Sequence, residues 1–92
     1  MTAIVSWVPE LSRFFGMVVG MFYREHGVPH FHVVYADYRA SIEVESLIVR
    51  GGLPPRAAAM ALEWARQHRA ELLENWELAR EGRPLRPIAP LE

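Results

Sequence analysis

The chain predicts a single α+β domain. The expected architecture is a three- or four-stranded antiparallel meander, then one long bent helix or two helices, then an extended Pro-rich tail. Three observations lead there. Composition changes at "RGGLPPR" (50–56): β-branched and aromatic residues dominate before it, and Ala, Leu, Glu and Arg after it. Residues 38–45 alternate between apolar and polar, the period of a half-buried strand. Residues 55–81 carry apolar side chains at spacings of three and four, the stripe of a helix packed on one side. The domain is expected to span 1–92, with a strand half at about 14–50, a helical half at about 55–81 and a tail at 83–92.

The first strand is read at 17–25 (MVVGMFYRE), the second at 30–35 (HFHVVY), the third at 38–45 (YRASIEVE), and a short fourth at 47–50 (LIVR). Phe14 and Phe15 are expected to pack beneath the first. Gly27 and Pro29 mark one reversal, and Ala36-Asp37 the next. In the third strand Ala40, Ile42 and Val44 share a face, opposite Arg39, Ser41, Glu43 and Glu45. Phe31, Val33 and Tyr35 join the apolar face from the second strand, which turns His30 and His32 away from the core.

A two-residue turn at Ala36-Asp37 pairs Tyr35 with Tyr38, His32 with Ser41 and His30 with Glu43. With residues 25–29 as the preceding loop, Arg24 falls opposite His30 and Phe22 opposite His32. Two cross-strand rows follow, Arg24-His30-Glu43 and Phe22-His32-Ser41. Slipping the register by one residue would send the whole set to the other face.

In the helical half, Ala61, Trp64, Ala65, His68, Leu72, Trp76 and Ala79 form the buried stripe, with prolines at its start and Gly82 past its end. An unbroken helix over 55–81 would be about 40 Å long at 1.5 Å per residue. The sequence therefore predicts either a bend near His68–Ala70 or a long helix shared with a partner. In the tail, Pro84, Pro87 and Pro90 alternate with Leu85, Ile88 and Leu91, giving an extended strap with one apolar edge, expected to lie on the domain's own core.

Apolar residues are 51% of the chain, too many for a disordered segment. There is no cysteine, which rules out disulfides and thiolate metal sites and fits a cytoplasmic setting. No stretch is apolar for long enough to span a bilayer, and "MTAIVSWVPELSR" is not expected to act as a secretion signal. A net charge of −1 argues against a protein that coats nucleic acid indiscriminately, although all ten basic residues are arginine.

His26, His30 and His32 crowd three of the four histidines into seven positions. Four readings compete for them. One is metal-independent phosphodiester cleavage, with His30 and His32 as general acid and base, Arg24 neutralising charge, Glu43 orienting His30, and His26, Phe22, Ser41 and Arg39 binding. The second is a protein-binding face. The third is a metal site on His26, His30 and His32, not favoured because the spacing is unspecific; no cofactor is expected. The fourth is a solvated sheet face with no task.

"PELSRFFGMVV", "PHFHVVY" and "LEWARQHRAELLENWELAREGRPLRPIAPL" resemble a bacterial family catalogued as domain of unknown function 4160, over nearly everything from Pro9 to Leu91. The resemblance implies a short cytosolic protein encoded beside another small protein, as in toxin–antitoxin-like modules. The partner expected is therefore a small cognate protein, with RNA ahead of DNA and no membrane; self-association stays open. The family's motif carries over onto His26, His30 and His32, and its helix onto His68, Asn75 and Trp76. Two departures stand out: residues 1–8 precede the usual start, and Gly20 replaces a larger, often basic residue. The alternative to an RNA-cleaving protein is a non-catalytic antitoxin or regulator whose helices and tail bind a partner.

Overall fold

The computed structural model describes residues 8–92. Five antiparallel strands lie side by side in chain order, followed by two helices. They are β1 (Glu10–Phe14), β2 (Met17–Gly20), β3 (His30–Tyr35), β4 (Tyr38–Glu43) and β5 (Val49–Gly51), then α1 (Pro55–Gln67) and α2 (Arg69–Arg80). The fold is α+β with a meander, as the sequence predicts, but with one strand more.

The extra strand is β1. A bulge between Glu10 and Ser12 turns Leu11 and Ser12 both inward, so "ELSRF" lacks the alternation that marks a strand in sequence. Phe14 pairs with Met17 across a two-residue turn in which Phe15 and Gly16 both have positive φ (47° and 82°), the geometry that matches strand twist.

The segment 17–25 is not one strand. β2 ends at Gly20, which pairs with His32, and Met21 then donates its N–H to the Pro9 carbonyl at 3.1 Å. The Pro9 carbonyl comes so close that only glycine fits at 20, where a Cβ would stand 2.1 Å from its oxygen. Arg24 therefore does not lie opposite His30, and Gly20 takes the place expected for Phe22. Between β3 and β4 the anticipated register holds, with Tyr35 opposite Tyr38, His32 opposite Ser41 and His30 opposite Glu43. β5 occupies 49–51 where 47–50 was expected, after a bend with Leu47 at φ 62°.

The helices cover the sheet face that carries Phe31, Val33 and Ile42, all fully buried. Trp64 of α1 fills the centre, with its ring 5.5 Å from Phe14 and 5.6 Å from Phe31. The helical half breaks at His68, whose φ and ψ (−124°, 26°) leave the helical region while its carbonyl already accepts from Leu72. The bend expected near His68–Ala70 is therefore present, and two helices form. No helix among the described residues is long and apolar enough to cross a membrane.

The tail lies on the domain's own core. Ile88 is buried and donates its N–H to the Leu11 carbonyl on β1 at 2.8 Å, while Trp64 Nε1 donates to Ala89 O at 2.8 Å. Asn75, 1% exposed, clamps the strap from α2: its Nδ2 donates to Arg86 O at 3.1 Å and its Oδ1 accepts from Arg86 N at 2.7 Å. Removing this amide takes away the partners of the Arg86 N–H and C=O and empties a buried position on α2. Asn75→Ala is expected to cost about 2–3 kcal/mol in urea unfolding; a loss below about 0.5 kcal/mol, the usual effect of a surface change, would refute the clamp.

Candidate functional site

β3 presents His30 and His32 on the face opposite Phe31 and Val33 because a strand alternates. Register sets Ser41 beside His32 and Glu43 beside His30. The 21–29 segment then folds back across the strand ends. Arg24, at φ 58°, donates its N–H to Ala79 O near the end of α2 (3.1 Å), and Gly27 reverses the chain at φ 99°.

That return brings Glu25 over both imidazoles. His32 Nε2 lies 2.9 and 3.1 Å from the two Glu25 oxygens, and His30 Nε2 lies 3.2 Å from Oε2. The other nitrogen of His30, Nδ1, donates to Val28 O at 2.7 Å. Trp76 of α2 packs on the His30 ring at 5.0 Å, and Phe22 meets the His32 ring at 4.7 Å. The side chains keep 16%, 21% and 30% exposure for His30, His32 and Glu25, which makes the cluster held yet reachable from solvent. Burial alone pushes the Glu25 carboxyl up, but hydrogen bonds with His32 and then His30 outweigh it and hold the group below its ordinary value.

Glu43 is engaged elsewhere. It accepts from Ser46 Oγ at 2.6 Å and from Arg50 Nη2 at 3.2 Å, which hold its carboxyl low. The acid that hydrogen-bonds the imidazoles is thus Glu25, not Glu43. Arg24, the expected charge-neutralising residue, instead lines an opening of about 310 Å³ with Glu25, His26 and Arg80. A second opening, about 240 Å³, is lined by residues that include His26, His30, Ser41, Glu43 and Arg50. His26 is exposed and borders both openings. Arg39 sits further along the sheet opposite Val34, with its guanidinium on Tyr38 O.

Glu25 is the residue the pattern analysis missed. It is the only carboxylate between Glu10 and Asp37, next in sequence to His26. Reading 17–25 as continuous strand placed it among ladder residues and hid its return toward β3.

A family model described as "Domain of unknown function (DUF4160)" matches residues 16–77, which include the whole cluster. The chain belongs to the DUF4160 family. No curated protein and no solved structure matches it. The match takes in β2 to β5, α1 and most of α2, so the elements that hold Glu25, His30 and His32 are family elements, whereas β1 and the tail lie outside the matched span.

The Glu43 arrangement gives a pH test. A carboxyl held low in the folded state adds stability above its unfolded value, and that stability is lost as pH falls through the folded value. In carboxyl-detected NMR titrations, Ser46→Ala is expected to move the Glu43 midpoint up toward the ordinary value, and further than Arg50→Gln does, since the Ser46 bond is the larger cause. An unchanged midpoint in both variants would show that neither partner holds it.

Proposed function

We propose that this DUF4160 protein acts at the phosphorus of an RNA phosphodiester, at the Glu25–His30–His32 cluster, as one partner of a cytoplasmic two-protein, toxin–antitoxin-like module. The observation that carries the reading is that one carboxylate gathers two imidazoles between openings flanked by arginines. Cleaving a phosphodiester needs a group to take a proton from the nucleophile, a group to give one to the leaving oxygen, and positive charge beside the phosphoryl oxygens. His30 and His32 stand side by side with ring centroids 5.2 Å apart. Arg24 and Arg80 border one approach and Arg50 the other.

Base recognition has support in Phe22 and Tyr23, 40% and 43% exposed directly before Arg24. Unstacked bases pack on exposed rings while arginines follow the phosphates. The two-protein module is supported by family likeness alone. The non-catalytic regulator reading would use helices and tail, and the tail's Ile88 is already spent on the core.

The test is cleavage of a labelled single-stranded RNA by purified protein, with folding checked by circular dichroism. His30→Gln and His32→Gln are each expected to slow cleavage about 100-fold or more, the usual contribution of an acid or base. Arg24→Gln is expected to raise KM more than it lowers kcat. Absence of cleavage by the wild type, alone and with the product of the neighbouring gene, would end the catalytic reading, as would full activity in both histidine variants. Stable co-purification with that neighbouring product is the expected result for the module, and its failure counts against it.

A further inference from the structure

The side-chain atoms of Glu25, His30 and His32 have a feature that acid–base chemistry does not use. One ligand-capable atom from each lies within 4.8 Å of the others. Ligand atoms around a tetrahedral ion at ~2.1 Å stand about 3.4 Å apart. The Glu25 oxygens are already 2.9 Å from His32 Nε2 and 3.2 Å from His30 Nε2, so an ion would need only small side-chain shifts.

The proton count at His30 points the same way. A carbonyl oxygen only accepts, so the 2.7 Å contact to Val28 O places a proton on Nδ1. In neutral imidazole the lone pair is then on Nε2, and that atom faces a Glu25 oxygen at 3.2 Å. A second proton on the ring gives the Nε2–H hydrogen bond to Glu25 described above, and an ion bound at the same place would displace that proton. A histidine that donates through one nitrogen to a main-chain carbonyl, with the other nitrogen free for a metal, is the usual second-shell arrangement of metal sites.

The surroundings fit as well. Trp76 and Phe22 hold the two rings, and period two puts both imidazoles on the same side of β3. With no cysteine in the chain, the donor set is nitrogen and oxygen, suited to zinc and its first-row neighbours rather than to thiophilic ions. Three protein ligands, with the Glu25 carboxylate bordering an opening, leave positions for water or substrate, the pattern of reactive rather than structural sites.

We propose that Glu25, His30 and His32 bind one divalent transition-metal ion of the zinc class through a carboxylate oxygen and the two Nε2 atoms. Glu25 replaces His26 in the ligand set that sequence spacing suggests, and the metal-free expectation is reversed. The proposal goes beyond the phosphodiester reading and does not depend on it, because uptake of the ion is measured without any substrate.

The experiment uses the full-length, tag-free chain stripped with a chelator and titrated with zinc chloride by calorimetry near neutral pH. One ion per chain with a micromolar or tighter Kd is expected, with cobalt(II) giving the visible bands of nitrogen and oxygen ligation and magnesium giving no heat. Glu25→Gln, His30→Gln and His32→Gln are each expected to weaken zinc about tenfold or more, whereas His26→Gln stays within about threefold. Since a ligand variant can misfold, long-range ¹H–¹⁵N spectra of wild-type histidines supply a second readout. They should show His30 protonated on Nδ1 before zinc is added, and Nε2 of His30 and His32 shifting at one equivalent.

Failure of the wild type to take up zinc below about 100 μM overturns the proposal. So does a Glu25→Gln variant that binds as the wild type does, or a loss in His26→Gln equal to that in Glu25→Gln. Saturable zinc binding without RNA cleavage upholds the metal site and sinks the phosphodiester reading. Cleavage of RNA by a chain that takes up no ion does the reverse.

Discussion

The site depends on the alternation of one strand. Phe31 and Val33 are fully buried against Trp64 and its neighbours, and a strand that commits those residues inward must turn His30 and His32 outward. Burial of a large apolar side chain is worth about 1.5–3 kcal/mol, so the strand cannot flip to hide its imidazoles without giving up much of the domain's stability. The hydrophobic core therefore enforces the placement of the polar cluster, with no need for the imidazoles to stabilise anything themselves. The two-residue reversal after Tyr35 then fixes which β4 residues become their neighbours.

Alternation alone leaves two histidines on an open face; α2 turns them into a cluster. Trp76 presses on His30, and the Ala79 carbonyl anchors the main chain at Arg24, one residue before Glu25. The carboxylate thus reaches the imidazoles through a loop tied at one end to a helix and at the other to the residue just past β4, where Val44 N–H meets Pro29 O at 3.0 Å. Arg69 makes a further tie from the start of α2 to the Val44 carbonyl at 3.1 Å. Helix, loop and sheet position the cluster together, and the same helix holds the tail through Asn75.

What could be read from the residues follows from which interactions are local. The β3–β4 register was legible because a short turn and period-two alternation leave one pairing that buries Phe31, Val33, Ala40 and Ile42 together. The helical stripe was legible because it repeats from Ala61 to Ala79, about five turns, and the break at His68 fell where a small domain runs out of length. β1 was hidden by its bulge. The end of β2 was hidden because "GMFYRE" keeps strand-like residues beyond Gly20, while the chain there leaves β3 and is held at Arg24 by the Ala79 carbonyl, distant in sequence. Glu25 was missed for that reason: its approach to His32 is a property of where the chain turns. The same loss of register displaced Arg24 and Phe22 from the rows drawn for them, although Phe22 still reaches His32 by its ring.

The contact at Gly20 ties the second strand to the segment that leads into the first. The Pro9 carbonyl occupies the volume that a side chain at position 20 would need, and Val8 lies 3.0 Å from the same point. With a bulky or basic residue at position 20 this chain could not lay its N-terminal strand along β2 in this way. Its second strand would present a free edge, or find another cover. The glycine and this docking of the leading segment therefore stand or fall together.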